Sequence, residues 1–186
     1  MNPILIGGPA VEPVSLADMK AHLRVDGEDE NELIAGLVKA GRLMVESASR
    51  RLLIEQAWRV TLDAWPLDGV LSLPVSPVIA LDAVRVAGEG GAMVDVDPGA
   101  VEADLLSDPP QVIVRGAPRP ARPRNGIALD LRGGYGASAH DVPATLALAV
   151  KLVVAHWFEH RGDMEGLQTL PADALALIAP FQRIRM

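Results

Sequence analysis

Ile127-Ala-Leu-Asp-Leu-Arg-Gly-Gly-Tyr-Gly136, then Asp141-Val-Pro143, then a nearly uncharged run ending His156-Trp-Phe-Glu-His-Arg161, is the stretch that decides how this chain folds. Its first piece reads as a strand, and the glycines as a turn. Asp141 and Pro143 then start a helix, one as cap and the other as opening residue. At 1.5 Å per residue the helix 143–161 is ~30 Å long. Lys151 is its only charge before Glu159. A lysine at a bilayer midplane costs about 2.5–3.5 kcal/mol, and the flanking apolar runs are short. A membrane span is therefore excluded. The helix must be buried in protein, in its own core or against other copies.

Upstream of this stretch lies a punctuated β region. At Ala57 the apolar period changes to two: Trp58, Val60 and Leu62 alternate with Arg59, Thr61 and Asp63. Short strands are expected at 70–73, 78–86, 93–96, 112–115 and 127–132, separated by Gly and Pro. Further upstream, Ser15 with Asp18 signals a helix start, and a short helix is expected over 15–25. A longer one is expected over 30–52. Leu33, Ile34, Leu37, Val38, Met44, Val45 and Ala48 give it helical periodicity, and Asp29 with Glu32 resembles a capping box. Gly36 and Gly41 each cost about 1 kcal/mol in its interior, a cost that close approach of another backbone would offset. A last short helix is expected over 171–179, ended by Pro180, with a tail over 180–186 of alternating apolar and basic residues.

The expected fold is thus α+β: a helical bundle of the N-terminal helices and the long buried helix 143–161, with a small antiparallel β region inserted over 57–132. The whole of 1–186 is expected to form one domain, which its length suits. Apolar residues make up 49% of the chain and aromatics 3%, so the core is built from Ala, Val, Leu and Ile. There is no cysteine, which excludes disulfides and thiolate metal sites. The first residues, Met1-Asn-Pro-Ile-Leu-Ile-Gly-Gly-Pro9, lack the basic segment and long apolar stretch of a secretory leader, so a cytoplasmic product is expected.

Formal net charge is -7, which argues against gripping DNA phosphates over the whole surface. It does not argue against surrounding DNA. The charge is uneven. Residues 89–108 carry Glu89, Asp95, Asp97, Glu102, Asp104 and Asp108 and no base; residues 115–124 carry Arg115, Arg119, Arg122 and Arg124 and no acid. Pro118, Pro120 and Pro123 make the arginine run an extended loop. Two readings stand side by side: solvated loops, or one subunit's acidic side meeting a neighbour's basic side, as a head-to-tail ring requires. No aromatic residue is interleaved with these arginines, which weakens a role in stacking single-stranded bases.

Catalytic signals are weak. His156-Trp-Phe-Glu159-His160 fits the H-x-x-E-H pattern of inverted zinc peptidases, with both histidines one turn apart. The pattern has only three fixed positions, a further ligand would have to come from elsewhere, and the large peptidase scaffold is missing. A helix end whose His and Arg side chains meet the last carbonyls is the better account. Gly133-Gly-Tyr-Gly136 lacks the phosphate-cradling pattern, and no serine sits in a G-x-S-x-G elbow. No enzyme activity, cofactor or metal is expected.

Five pieces, in order along nearly the whole chain, carry a family resemblance. They are Ser15-Leu-Ala-Asp-Met-Lys-Ala-His-Leu-Arg-Val-Asp26; Asp29-Glu-Asn-Glu-Leu-Ile34 on to Gln56-Ala-Trp58; Leu73-Pro-Val-Ser-Pro-Val-Ile79; Gly134-Tyr-Gly136 with Val142-Pro143 and the helix to Arg161; and Leu170-Pro171 to Ala179-Pro-Phe181. Together they resemble the head–tail connector (adaptor) proteins of tailed phages and gene transfer agents. The resemblance implies a structural role: a homo-oligomeric ring, commonly a dodecamer, beneath the portal protein at the capsid vertex. DNA passes through its lumen without sequence-specific binding, and a downstream neck, stopper or tail protein docks opposite. It implies a place in the particle neck after assembly in the host cytoplasm, and no membrane partner. On that reading Phe181, Arg183, Ile184 and Arg185 bind the portal. Gly36, Gly41, Arg115, Arg119, Arg122, Arg124, Asp95 and Asp97 lie between subunits. The alternatives are a small DNA-binding packaging or regulatory protein, or a zinc hydrolase using the histidine pair.

Overall fold

A computed structural model describes residues 1–160 and 170–182. Chain contacts divide it into two compact units, each assembled from separated stretches. Unit 1 is Met1–Ala10 with Glu55–Tyr135, and unit 2 is Val11–Ile54 with Gly136–Met186.

Unit 1 is all β. Its strands are β1 (Asn2–Gly7), β2 (Gln56–Leu62), β3 (Val70–Ser72), β4 (Val78–Ala87), β5 (Met93–Asp95), β6 (Val101–Asp104), β7 (Gln111–Val114) and β8 (Ile127–Gly133). They form two antiparallel sheets, one in the order β1-β2-β8-β4-β5 and one in the order β3-β7-β6. The sequence explains the register. On β2 the apolar set Trp58, Val60 and Leu62 stands opposite Leu131, Leu129 and Ile127 of β8. A slip by one residue would turn both sets to the wrong face. Val60, Leu71, Val112, Ile127, Leu129 and Leu131 are all buried.

Unit 2 is helical: α1 (Leu16–Leu23), α2 (Asn31–Ser49), α3 (Ala144–Glu159) and α4 (Ala172–Ile178). α2 and α3 bury matching stripes at helical spacing. Ile34, Val38, Gly41 and Val45 lie on one; Leu146, Ala149, Val150, Val153, Val154 and Trp157 lie on the other. Burying each large aliphatic side chain contributes about 1.5–3 kcal/mol. Among the described residues no helix is long and apolar enough to cross a membrane.

The expected helical bundle with a small β insert is corrected. The described chain is 34% helical and 25% strand, so neither class is an insert in the other. The β region is a complete unit with its own core and two sheets. The pattern of short strands showed where strands lie but not that β1, at the chain's start, adds an edge to them. β6 was also missed: Val101-Glu102-Ala103-Asp104 alternates, but four residues with two small or medium apolar positions inside an acidic run make too short a pattern.

Helix ends differ in detail too. Ser15 caps α1, its Oγ accepting from the Asp18 N–H at 3.0 Å. No capping box opens α2: Glu30 is its N-cap and makes no side-chain cap bond. Asp141 does not cap α3. It pairs with Ser138 in a capping box around the 3-10 turn Ala139–Asp141, and Pro143 takes the N-cap position of α3. α1 ends at Leu23, with Arg24 as its C-cap in the left-handed region at φ 58°, close to the expected end at residue 25.

Candidate functional site

The oppositely charged runs of the sequence meet within unit 1. β6 and β7 are antiparallel neighbours, which brings Arg115 onto Glu102, its Nε donating at 3.0 Å. Asp95 accepts from Arg85 at 3.0 Å. Asp97 accepts from the Gly99 N–H at 2.8 Å and caps the 3-10 turn Pro98–Ala100. Asp104 accepts from the Ser107 hydroxyl and from two backbone N–H groups, and the hydroxyl bond chiefly draws its pKa down. Much of the acidic run is thus occupied by its own chain.

The arginine loop is held at several points. The Trp65 indole N–H donates to the Pro118 carbonyl at 3.0 Å. The Ala121 N–H donates to Ala87 O at 2.8 Å, and the Asn125 N–H to an Asp63 carboxylate oxygen at 2.7 Å. Arg122 turns back onto the Asn125 carbonyl. A Cβ on Gly126 would lie 2.5 Å from Pro120 Cβ and 2.7 Å from Arg122 O, so only glycine lets the loop close here. Arg119 and Arg124 are exposed and have no ion-pair partner among the described residues. Of the four arginines these two remain available to another molecule.

A charged ladder that sequence reasoning did not pick out crosses the five-stranded sheet. Asp130 on β8 accepts from Arg59 on β2 at 2.6 and 2.8 Å and from Arg85 on β4 at 2.6 Å. Its side chain is 14% exposed. The Arg59 hydrogen bond, with help from Arg85, holds its carboxyl below the usual carboxylate range, while partial burial opposes the shift. Arg132 extends the ladder to Glu55 at 3.0 Å and Asp82 at 3.1 Å. The clue was available: these residues fall at the polar positions of alternating strands. Which ones face each other is set by pairing, which the sequence does not state.

Unit 2 holds a buried ion network. Arg42 is 3% exposed; it donates to Glu12 at 2.7 Å and to Glu46 at 2.8 Å, and Glu46 also accepts from the Leu53 N–H at 2.9 Å. Gly41, one residue earlier, packs on α3: a Cβ there would lie 2.9 Å from Val154 Cγ2. Gly41 thus serves contact inside the chain. Gly36 is exposed, and a Cβ there would meet nothing within 4 Å. Phe181 is half-buried, its carbonyl accepting from Arg51 Nε at 3.1 Å, and Gln182 donates to Ala48 O at 3.1 Å. Arg161, Arg183, Ile184 and Arg185 lie outside the described residues.

The histidine pair forms a helix end. His156 and His160 rings lie 4.4 Å apart, and His160 Nδ1 is 2.8 Å from the His156 carbonyl oxygen. Among the described residues no group of three His, Cys, Asp or Glu could hold a metal ion.

No protein-family model matches the sequence, and no curated protein matches it. Solved structures do. A chain of the neck of an empty gene transfer agent particle, computed with C6 symmetry, is similar at TM-score 0.83 and 26% identity, over 100% of this chain and 97% of that one. A chain of the virion of a native gene transfer agent particle gives the same figures. A chain of the neck of a native particle, computed with C12 symmetry, is similar at TM-score 0.77 and 27% identity, over 98% of this chain and 97% of that one. This full-length likeness to chains of gene transfer agent particles and their necks is consistent with the head–tail connector (adaptor) family that the sequence resembles.

Proposed function

We infer that this chain is a structural head–tail adaptor, one subunit of a ring in the neck of a phage or gene transfer agent particle. The ring sits beneath the portal, joins capsid to tail and surrounds the DNA channel. The observation that carries this reading is similarity along the full chain to neck chains of particles computed with C6 and C12 symmetry. The role needs no catalytic centre, only a rigid subunit with surfaces for its neighbours. Twelve copies suit a ring that carries both symmetries. The net charge of -7 supports a lumen past which DNA slides.

Contacts between subunits fall to the groups that the subunit leaves free: Arg119 and Arg124, with Gly36 on the exposed face of α2. Arg115, Arg122, Asp95, Asp97 and Gly41 first serve the fold of their own chain. The portal-binding strap is Phe181 with Arg183, Ile184 and Arg185, starting where Arg51 fixes the backbone of Phe181.

Mixing the chain with the portal protein encoded beside it tests the reading. Native mass spectrometry or electron cryomicroscopy should show a ring of about a dozen copies docked on the portal. A chain that stays monomeric and unbound would refute it.

A further inference from the structure

The two edges of the five-stranded sheet are unlike, and they match each other. At one edge β1 is exposed along most of its length, with Ile4 44%, Leu5 49% and Ile6 50% exposed. Its neighbours along the sheet alternate sides, so apolar groups stand on both faces of this rim. An edge of this kind is a template for another chain unless something covers it. Pro3 has no N–H to give, which leaves Ile4–Ile6 as the part that can pair.

Near the other edge, β5 pairs only with Arg85–Ala87 of β4. Among the described residues no strand pairs with 78–83 of β4 on the side away from β8, and the Val84 carbonyl is taken by the Val96 N–H at 2.8 Å. β6, an edge of the three-stranded sheet, lies across a groove from it. The groove has a volume of about 770 Å³, and its apolar lining includes Ile79, Leu81, Val96, Val101 and Leu105. That volume lies in the range of clefts that bury a ligand and leaves room for a few apolar side chains of a docked strand. β4 is bulged between Val78 and Ala80 and between Leu81 and Ala83, so regular pairing there is short and side-chain burial carries most of a contact.

β1 cannot fill its own chain's groove, because β2 and β8 stand between it and β4. The geometry points to a second copy: the β1 rim of one subunit docks in the β4–β6 groove of the next. Unlike patches on one molecule make a head-to-tail contact, which closes into a ring when the rotation permits. This rests on the ring reading above, and it names the surfaces that build the ring.

The chain has no cysteine, so introduced thiols report cleanly. A Leu5→Cys, Ile79→Cys double variant, assembled on the portal and oxidised, should give a ladder of covalent oligomers. An equal mixture of the two single variants should stop at dimers. Ile6→Glu should keep the monomer's thermal midpoint and lower the assembled fraction at least tenfold. A ring seen by microscopy with no ladder, or with assembly unchanged in Ile6→Glu, overturns this proposal and leaves the adaptor role standing. Cross-linking of Leu5→Cys alone to itself or to a portal thiol also overturns it, since β1 would then meet a different partner. If the unsubstituted chain forms no ring at all, both readings fall.

Discussion

Gly36 and Gly41 lie five positions apart on one helix and do opposite things. At Gly36 there is room for a methyl group, and alanine gains about 1 kcal/mol of helix propensity. At Gly41 any side chain meets Val154, and overpacking a core typically costs about 1–3 kcal/mol. Gly36→Ala should therefore raise the thermal midpoint of the isolated chain, and Gly41→Val should lower it. If Gly36 also lies between subunits, Gly36→Ala will reduce ring assembly despite the more stable subunit. Calorimetry of the monomer and microscopy of the assembly together check both statements. The sequence showed two helix-interior glycines needing a reason; it could not show that only one faces another helix of its own chain. It said still less about Arg42, which looks like any helix-surface arginine until Glu12 and Glu46 close around it.

Among the elements, strands were legible where apolar and polar residues alternate over a long enough run, as in β2 but not in the four residues of β6, and helices where a stripe recurs, as in α2. β1 was not legible. Pro3-Ile-Leu-Ile6 has no alternation, because both faces of this rim are apolar. The charged ladder on β2, β8 and β4 was invisible for a different reason: it exists only once three strands are in register. Its electrostatics give a pH dependence. The folded-state pKa of Asp130 is depressed, chiefly by Arg59. Its contribution is therefore complete above the unfolded value of about 3.9 and is lost as pH falls through the folded value. Asp130→Asn should flatten the fall in stability below about pH 4 and lower neutral stability by up to about 1 kcal/mol. The modest size follows because Arg59 and Arg85 stay 40% and 33% exposed. Urea titrations at several pH values would check this, and an unchanged acid limb would remove Asp130 from the account.

At the scale of the whole molecule, the likeness to particle-neck chains was legible from the order of the pieces, while the balance of the architecture was not. Periodicity locates elements one at a time. It does not say that separated stretches gather into a β unit as complete as the helical one. The tail makes a test at this scale. A stop after Gln182 keeps the bonds from Arg51 to Phe181 and from Gln182 to Ala48, and removes only 183–186. Such a chain should melt within about 0.5 kcal/mol of the full one, as changes away from core features do. It should also lose most of its portal binding in a pull-down. Full binding by the shortened chain would dismiss the strap.

The chain passes between its two units at Ala10–Val11, Ile54–Glu55 and Tyr135–Gly136. These crossings act as three tethers in parallel. A pull that separates the units divides among three peptide bonds, and a single proteolytic nick leaves the other two intact. Such redundancy guards a subunit against failure at one weak loop.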